Sequence, residues 1–270
     1  MDNEKKNIKE MNKTQVFNVI ILDRSGSMEC IRRAAIDGFN ETLAGIKKAQ
    51  ENYADTQDHF VTLVTFCSCH TDFVFDKTPA AEAKPLTPAD YQPCCCTPLY
   101  DAMGLTLTSM RRYVKDLEDA IVVVTIITDG LENASKEFSG PAIKTLVDEL
   151  RKEGWTFTYM GANQDSHAIA FDLNIRNARN FDYSNEGAAE SWEKDRRTRM
   201  ALFSRISEFK LQECDEDCVM SSDERRAFYT DLADDVFDDE ENKKYLPTLR
   251  ILCRLFVFNI LIMGNISRKV

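Results

Sequence analysis

Histidine is scarce. The 270 residues hold three, His59, His70 and His167, and none sits in an HExxH pattern. That removes the helical zinc-protease arrangement, which needs two histidines one turn apart. No GxSxG elbow occurs, so the exposed nucleophilic serine of an α/β-hydrolase has no seat. No GxxxxGK[ST] loop and no GxGxxG after a strand occur either, and nucleotide binding has no support. Basic charge is in deficit, with 34 Lys and Arg against 45 Asp and Glu and a net charge of −11. Nucleic acid binding needs a basic face, so no nucleic acid partner is expected. The opening MDNEKKNIKEMNK has no apolar stretch of signal-peptide length. The expectation is a cytoplasmic protein with reduced thiols. Nine cysteines, an odd number, leave at least one unable to pair within the chain.

The negative charge is not spread evenly. Residues 213–242 carry 13 Asp or Glu and two Arg, which leaves 32 of each sign elsewhere. This segment reads as a solvated helix with Phe228, Leu232 and Val236 on one face, or as an interaction tail. Residues 246–263, LPTLRILCRLFVFNILIM, are apolar but interrupted by Arg250, Arg254 and Asn259. The uninterrupted part is short for a hydrocarbon core of about 30 Å, so a membrane is not the expected partner. A docking helix or a partly disordered tail is the preferred reading.

Between these ends, strands and helices alternate. VFNVIIL at 16–22 is a buried strand ending at Asp23. Ile36, Phe39, Leu43 and Ile46 mark one face of a helix. FVTLVTF at 60–66 is a second strand, and TDFVF at 71–75 its antiparallel partner. Residues 77–93 hold four prolines and read as loop. Leu99, Met103, Leu107, Met110, Val114 and Leu117 predict a long helix. AIVVVTIIT at 120–128 is another buried strand, followed by Asp129. A helix around 143–150, a strand at 155–161, a short helix at 168–173, a strand at 178–183 and a charged helix at 185–211 complete the order. The pattern predicts an α/β fold with a doubly wound, mostly parallel sheet.

Ligands of such sheets lie beyond the carboxyl ends of the strands. Asp23 and Asp129 are therefore expected on one rim. The loop DRSGSM adds hydroxyls at Ser25 and Ser27. Thr97 precedes the helix that starts near Pro98, and its type and place fit an N-cap. Two carboxylates and three hydroxyls supply only hard oxygen with few full charges. That set suits Mg²⁺, with Mn²⁺ as its natural substitute.

Asp-x-Ser-x-Ser after the first strand, a later Thr, and an Asp ending a central strand resemble the metal-ion-dependent adhesion site of von Willebrand factor type A (VWA) domains. The resemblance runs from about residue 16 to 210 and is strongest to small bacterial intracellular members, including the tellurite-resistance type. It implies a Rossmann-like fold and a Mg²⁺ site. Ser25, Ser27 and Thr97 would contact the metal, with Asp23 and Asp129 contacting it directly or through water. It also implies binding rather than catalysis, with the metal's open position taking an acidic side chain of another protein. The implied division is a polar segment at 1–13, a VWA domain at 14–211, an acidic extension at 212–245 and an apolar tail at 246–270. One departure is clear. Many members have glycines before the Thr, where this chain has Cys94, Cys95 and Cys96, and cysteine does not take positive φ cheaply.

CSCH at 67–70 ends the second strand, so Cys67 and Cys69 are expected near Cys94–Cys96. Small apolar packing, a redox pair and a zinc site are the three readings of these thiols. Glu132 and Asn133 read as solvated loop residues, or as outer partners of the metal. Two alternatives to the binding module stay open. One is a metal-dependent phosphohydrolase, which lacks a DxD nucleophile motif and has only Arg24 as a nearby base. The other is a thiol-based redox sensor.

Overall fold

A computed structural model describes residues 12–162, 166–182, 184–215 and 220–241. The expected tail at 246–270 and most of the segment at 1–13 lie outside these residues.

Six strands form one sheet in the order β3-β2-β1-β4-β5-β6. They are β1 (Thr14–Asp23), β2 (Gln57–Cys67), β3 (His70–Pro79), β4 (Ala120–Thr128), β5 (Thr156–Ala162) and β6 (Asn177–Phe181). All neighbours pair in parallel except β2 and β3, which pair antiparallel. β1 lies between β2 and β4, with Leu22 opposite Thr65 on one side and Ile127 on the other. Both of its faces are covered, so its run from Val16 to Leu22 is apolar except for Asn18 rather than alternating.

Helices cover both faces. Val16, Ile20 and Leu22 pack in a core with residues of α1 (Arg32–Asn52), α5 (Asn185–Asp215) and α6 (Ser222–Glu241). Phe17, Val19 and Ile21 face the opposite way, into a core with α2 (Leu99–Val114), α3 (Gly140–Lys152) and α4 (Ser166–Asp172). Gly38 of α1 makes room for α5, because a Cβ there would lie 2.3 Å from the Trp192 ring of α5. α5 is also tied to the sheet by buried Arg199. It binds Asp195 at 2.8 Å and Asn18 of β1 at 3.0 Å, and it donates to Thr125 of β4.

The acidic segment is not simply solvated. In α6, Leu232 and Val236 are buried in the first core, and Phe228 stacks on Phe209 with ring centroids 4.0 Å apart. Among the described residues no helix is long and apolar enough to cross a membrane.

Candidate metal centre

β1 carries Asp23 to the carboxyl edge of the sheet, where its side chain is fully buried. Its Oδ1 accepts from the Ser25 backbone N–H at 2.6 Å, and its Oδ2 accepts from Thr128 Oγ1 at 2.6 Å. Its backbone carbonyl accepts from the buried Tyr91 hydroxyl. From here the chain turns into a short 3-10 helix, Gly26–Ile31. Ser25 Oγ lies 3.2 Å from Ser27 Oγ, and Ser27 Oγ donates to Asp129 Oδ1 at 2.6 Å. The two predicted loops therefore meet through a serine–aspartate bond.

Thr97 is buried next to them. A Cβ placed on Gly130 would sit 3.1 Å from Thr97 Oγ1 and 3.7 Å from Ser27 Oγ. Glycine at 130 thus keeps open a gap that both hydroxyls border. Thr97 is not the N-cap of α2. Pro98 holds that position and no side chain caps the helix there. The donors of the first turn are met from the β4–α3 loop instead. Tyr100 N donates to Glu132 Oε2 at 2.9 Å, and Asp101 N to Ser135 Oγ at 3.0 Å. Thr97 itself is held through its backbone: its N–H donates to Asn133 Oδ1 at 2.9 Å, and its carbonyl accepts from Asn133 N at 3.1 Å. Asn133 is thus the clamp on Thr97, and Glu132 fixes the start of α2 that follows it. Their spacing after Asp129 was the available signal. Thr128 and Tyr91 were missed altogether. Thr128 showed only as a polar end to an apolar run, and nothing in a proline-rich loop singles out Tyr91.

The electrostatics are lopsided. Burial pushes Asp23 up to about 6, against the lowering effect of the Thr128 and Ser25 hydrogen bonds, and the neighbouring charge of Asp129 adds to the rise. Asp129 Oδ2 is buried with no hydrogen-bond partner. Among the described residues no Lys or Arg pairs with either aspartate; Arg24 is instead 3.1 Å from Asp72 and 3.9 Å from Cys67 Sγ. A buried carboxylate oxygen without donor or cation is costly. Two carboxylates, three hydroxyls, an orphaned oxygen and a glycine-kept gap fit a small, hard divalent cation.

The thiols gather on the same rim. Cys67 Sγ is 3.4 Å from Cys94 Sγ, and Cys69 Sγ is 3.1 Å from Cys95 Sγ. Cys95 does adopt left-handed backbone, with φ of 64°. Its carbonyl accepts from Gly26 N at 3.0 Å, which ties the cysteine loop to the serine loop.

Neither a family model nor a curated protein matches the sequence. Solved structures do match. The pilus adhesin SpaC of Lactobacillus rhamnosus GG in its open conformation superposes with a TM-score of 0.53 at 15% identity, covering 72% of this chain and 31% of that one. A second SpaC structure gives 0.51 at 14% identity, covering 72% and 32%. Strand order, the single antiparallel edge and these likenesses decide the architecture. The fold is von Willebrand factor type A-like. This VWA-like chain spans about a third of the length of the SpaC chains it matches. A mussel byssus proximal thread matrix protein, solved with zinc in its MIDAS motif, superposes at 0.46 with 14% identity, covering 70% of this chain and 46% of that one.

Proposed function

We propose that this protein is a divalent-cation-dependent protein-interaction module. Asp23, Ser25, Ser27, Thr97 and Asp129 would hold the ion, Mg²⁺ by preference with Mn²⁺ as substitute. When bound, the ion supplies a hard Lewis acid with an open position for a partner's carboxylate. The observation that carries this reading is the unpartnered, buried Asp129 Oδ2 beside a second buried aspartate, with no Lys or Arg among the described residues paired to either.

The surrounding residues have defined tasks. Thr128 and the Ser25 N–H fix both oxygens of Asp23. Ser27 donates its proton to Asp129, which leaves the hydroxyl lone pairs more basic and a better donor set for a cation. Asn133 holds Thr97 in place from both sides of its peptide. Leu131, 62% exposed and two residues from Asp129, offers a partner apolar surface at the edge of the site. The phosphohydrolase alternative needs a base to stabilise phosphate charge, and Arg24 is engaged by Asp72 and Cys67. The reading makes the protein a binder, with an acidic protein side chain as the partner's contact.

Water-proton relaxation of the Mn²⁺-loaded protein tests this. A short peptide carrying a glutamate should reduce the relaxivity by displacing bound water, and its glutamine counterpart should not. Equal effects of the two peptides would contradict a carboxylate-accepting position.

A further inference from the structure

Four thiols beside the candidate metal centre have no part in the metal reading. Cys67 ends β2, Cys69 lies in the turn into β3, and Cys94 and Cys95 are separated from Thr97 by Cys96. They are drawn from positions 26 and 27 residues apart, yet their sulfurs meet two by two, at 3.4 Å and 3.1 Å. They do not converge on one point. Among the described residues no group of three or more His, Cys, Asp or Glu side chains is arranged to hold a metal ion, which weighs against a four-thiolate zinc site.

The backbone already holds the two segments together. Ser68 N donates to Cys96 O at 2.9 Å, Cys96 N to Ser68 Oγ at 3.2 Å, and Cys94 N to Arg24 O at 2.9 Å. A disulfide bond is about 2.05 Å long, so each sulfur pair has to close by only a little over about 1 Å. Cys69 and Cys95 are exposed and Cys94 half-buried, whereas Cys67 is buried. One pair is therefore open to reagents in solution and the other is less accessible.

We propose that Cys69–Cys95 and Cys67–Cys94 are two dithiol–disulfide couples that fasten the β2–β3 turn to the Thr97 loop. The oxidant is a small-molecule disulfide. A thiolate of one pair attacks it, forming a mixed disulfide and releasing one small thiol. The second protein thiol then attacks the protein sulfur of the mixed disulfide, closing the protein bond and releasing the second small thiol. Each couple loses two electrons and two protons, and the two small thiols carry both away. The exposed couple closes first.

The test uses the full chain, reduced and then held with excess oxidised glutathione. Free thiols are blocked and the linked peptides are identified by mass spectrometry. The expected result is two bonds joining segment 67–69 to segment 94–95, with only Cys67–Cys94 formed in Cys95→Ser and in Cys69→Ser. Both substitutions are at exposed positions, so folding is retained. Amide exchange across the Thr97 loop should slow on oxidation and recover on reduction. Stable glutathione adducts without a protein bond, linkage of either pair to another cysteine, or protection of all four thiols by added Zn²⁺ would overturn the proposal. The linked-peptide readouts do not depend on the cation site, and amide exchange is measured without added divalent cation, so the two readings fail separately.

Discussion

The sheet buries acidic residues at both of its ends, and the two ends treat them differently. At the amino ends of the strands Asp119 is saturated. Its carboxylate takes Lys210 at 2.8 Å, Arg225 at 2.8 Å, the Tyr229 hydroxyl at 3.1 Å and Thr14 Oγ1 at 3.1 Å. Those partners come from β1, α5 and α6, so this charge binds the carboxy-terminal helices to the sheet. At the carboxyl ends Asp23 and Asp129 have hydroxyl and amide donors but, among the described residues, no paired Lys or Arg, and one oxygen has no partner. A compensated buried carboxylate is a structural fastening. On the proposed reading, an uncompensated pair is a receptor for positive charge.

The largest effect expected from this contrast is in stability. Asp119→Ala strands two cations at a buried position and should cost about 3–5 kcal/mol in urea unfolding. Asp129→Asn keeps the oxygen that Ser27 needs and removes repulsion, so the metal-free protein should lose nothing and gain up to about 1 kcal/mol. Equal losses at the two ends would break the comparison.

Next comes pH. The folded state holds the Asp23 proton to about 6, above its ordinary 3.8, so it binds more protons than the unfolded chain in between. The stability contributed by this group therefore falls as pH rises from about 4 through 6, by at most about 3 kcal/mol. His59 acts the other way. Burial lowers it to about 3 from 6.5, so its contribution is present above 6.5 and lost as pH falls toward 3. The difference between wild type and Asp23→Asn isolates the aspartate. In saturating Mg²⁺ the pH dependence of that difference should reverse, because the ion would hold the charged form and bring the folded-state pKa below the ordinary value.

Smaller effects sharpen the account of how Thr97 is held. Asn133→Ala should weaken cation binding about 10–100-fold by calorimetry while leaving the melting temperature nearly unchanged. Cys95→Gly removes a left-handed cysteine and should shift stability by less than about 1 kcal/mol, in the stabilising direction, whereas Cys95→Val should destabilise.

Much of this was legible in the sequence. Fully apolar runs predicted β1 and β4, and the strand-end rule carried Asp23 and Asp129 to one rim. Serines and glycine packed into six residues marked the loop between them. What the sequence hid was pairing across distance. Nothing local shows that Glu132 and Ser135 satisfy the start of α2, which frees Thr97 from a capping role. Nor does anything local show that Tyr91 reaches back to Asp23. The acidity of 213–242 masked the apolar face by which α6 joins the core. The thiols were readable as neighbours, but their two-by-two meeting depends on the β2–β3 turn and a left-handed residue at 95.

The central claim is that the rim aspartates await a cation. Isothermal titration of Mg²⁺ and Mn²⁺ into metal-free wild type and Asp129→Asn tests it most directly. The account predicts saturable binding at one site in the wild type and its loss in the variant. Binding that survives Asp129→Asn unchanged, or no binding in the wild type, would contradict it.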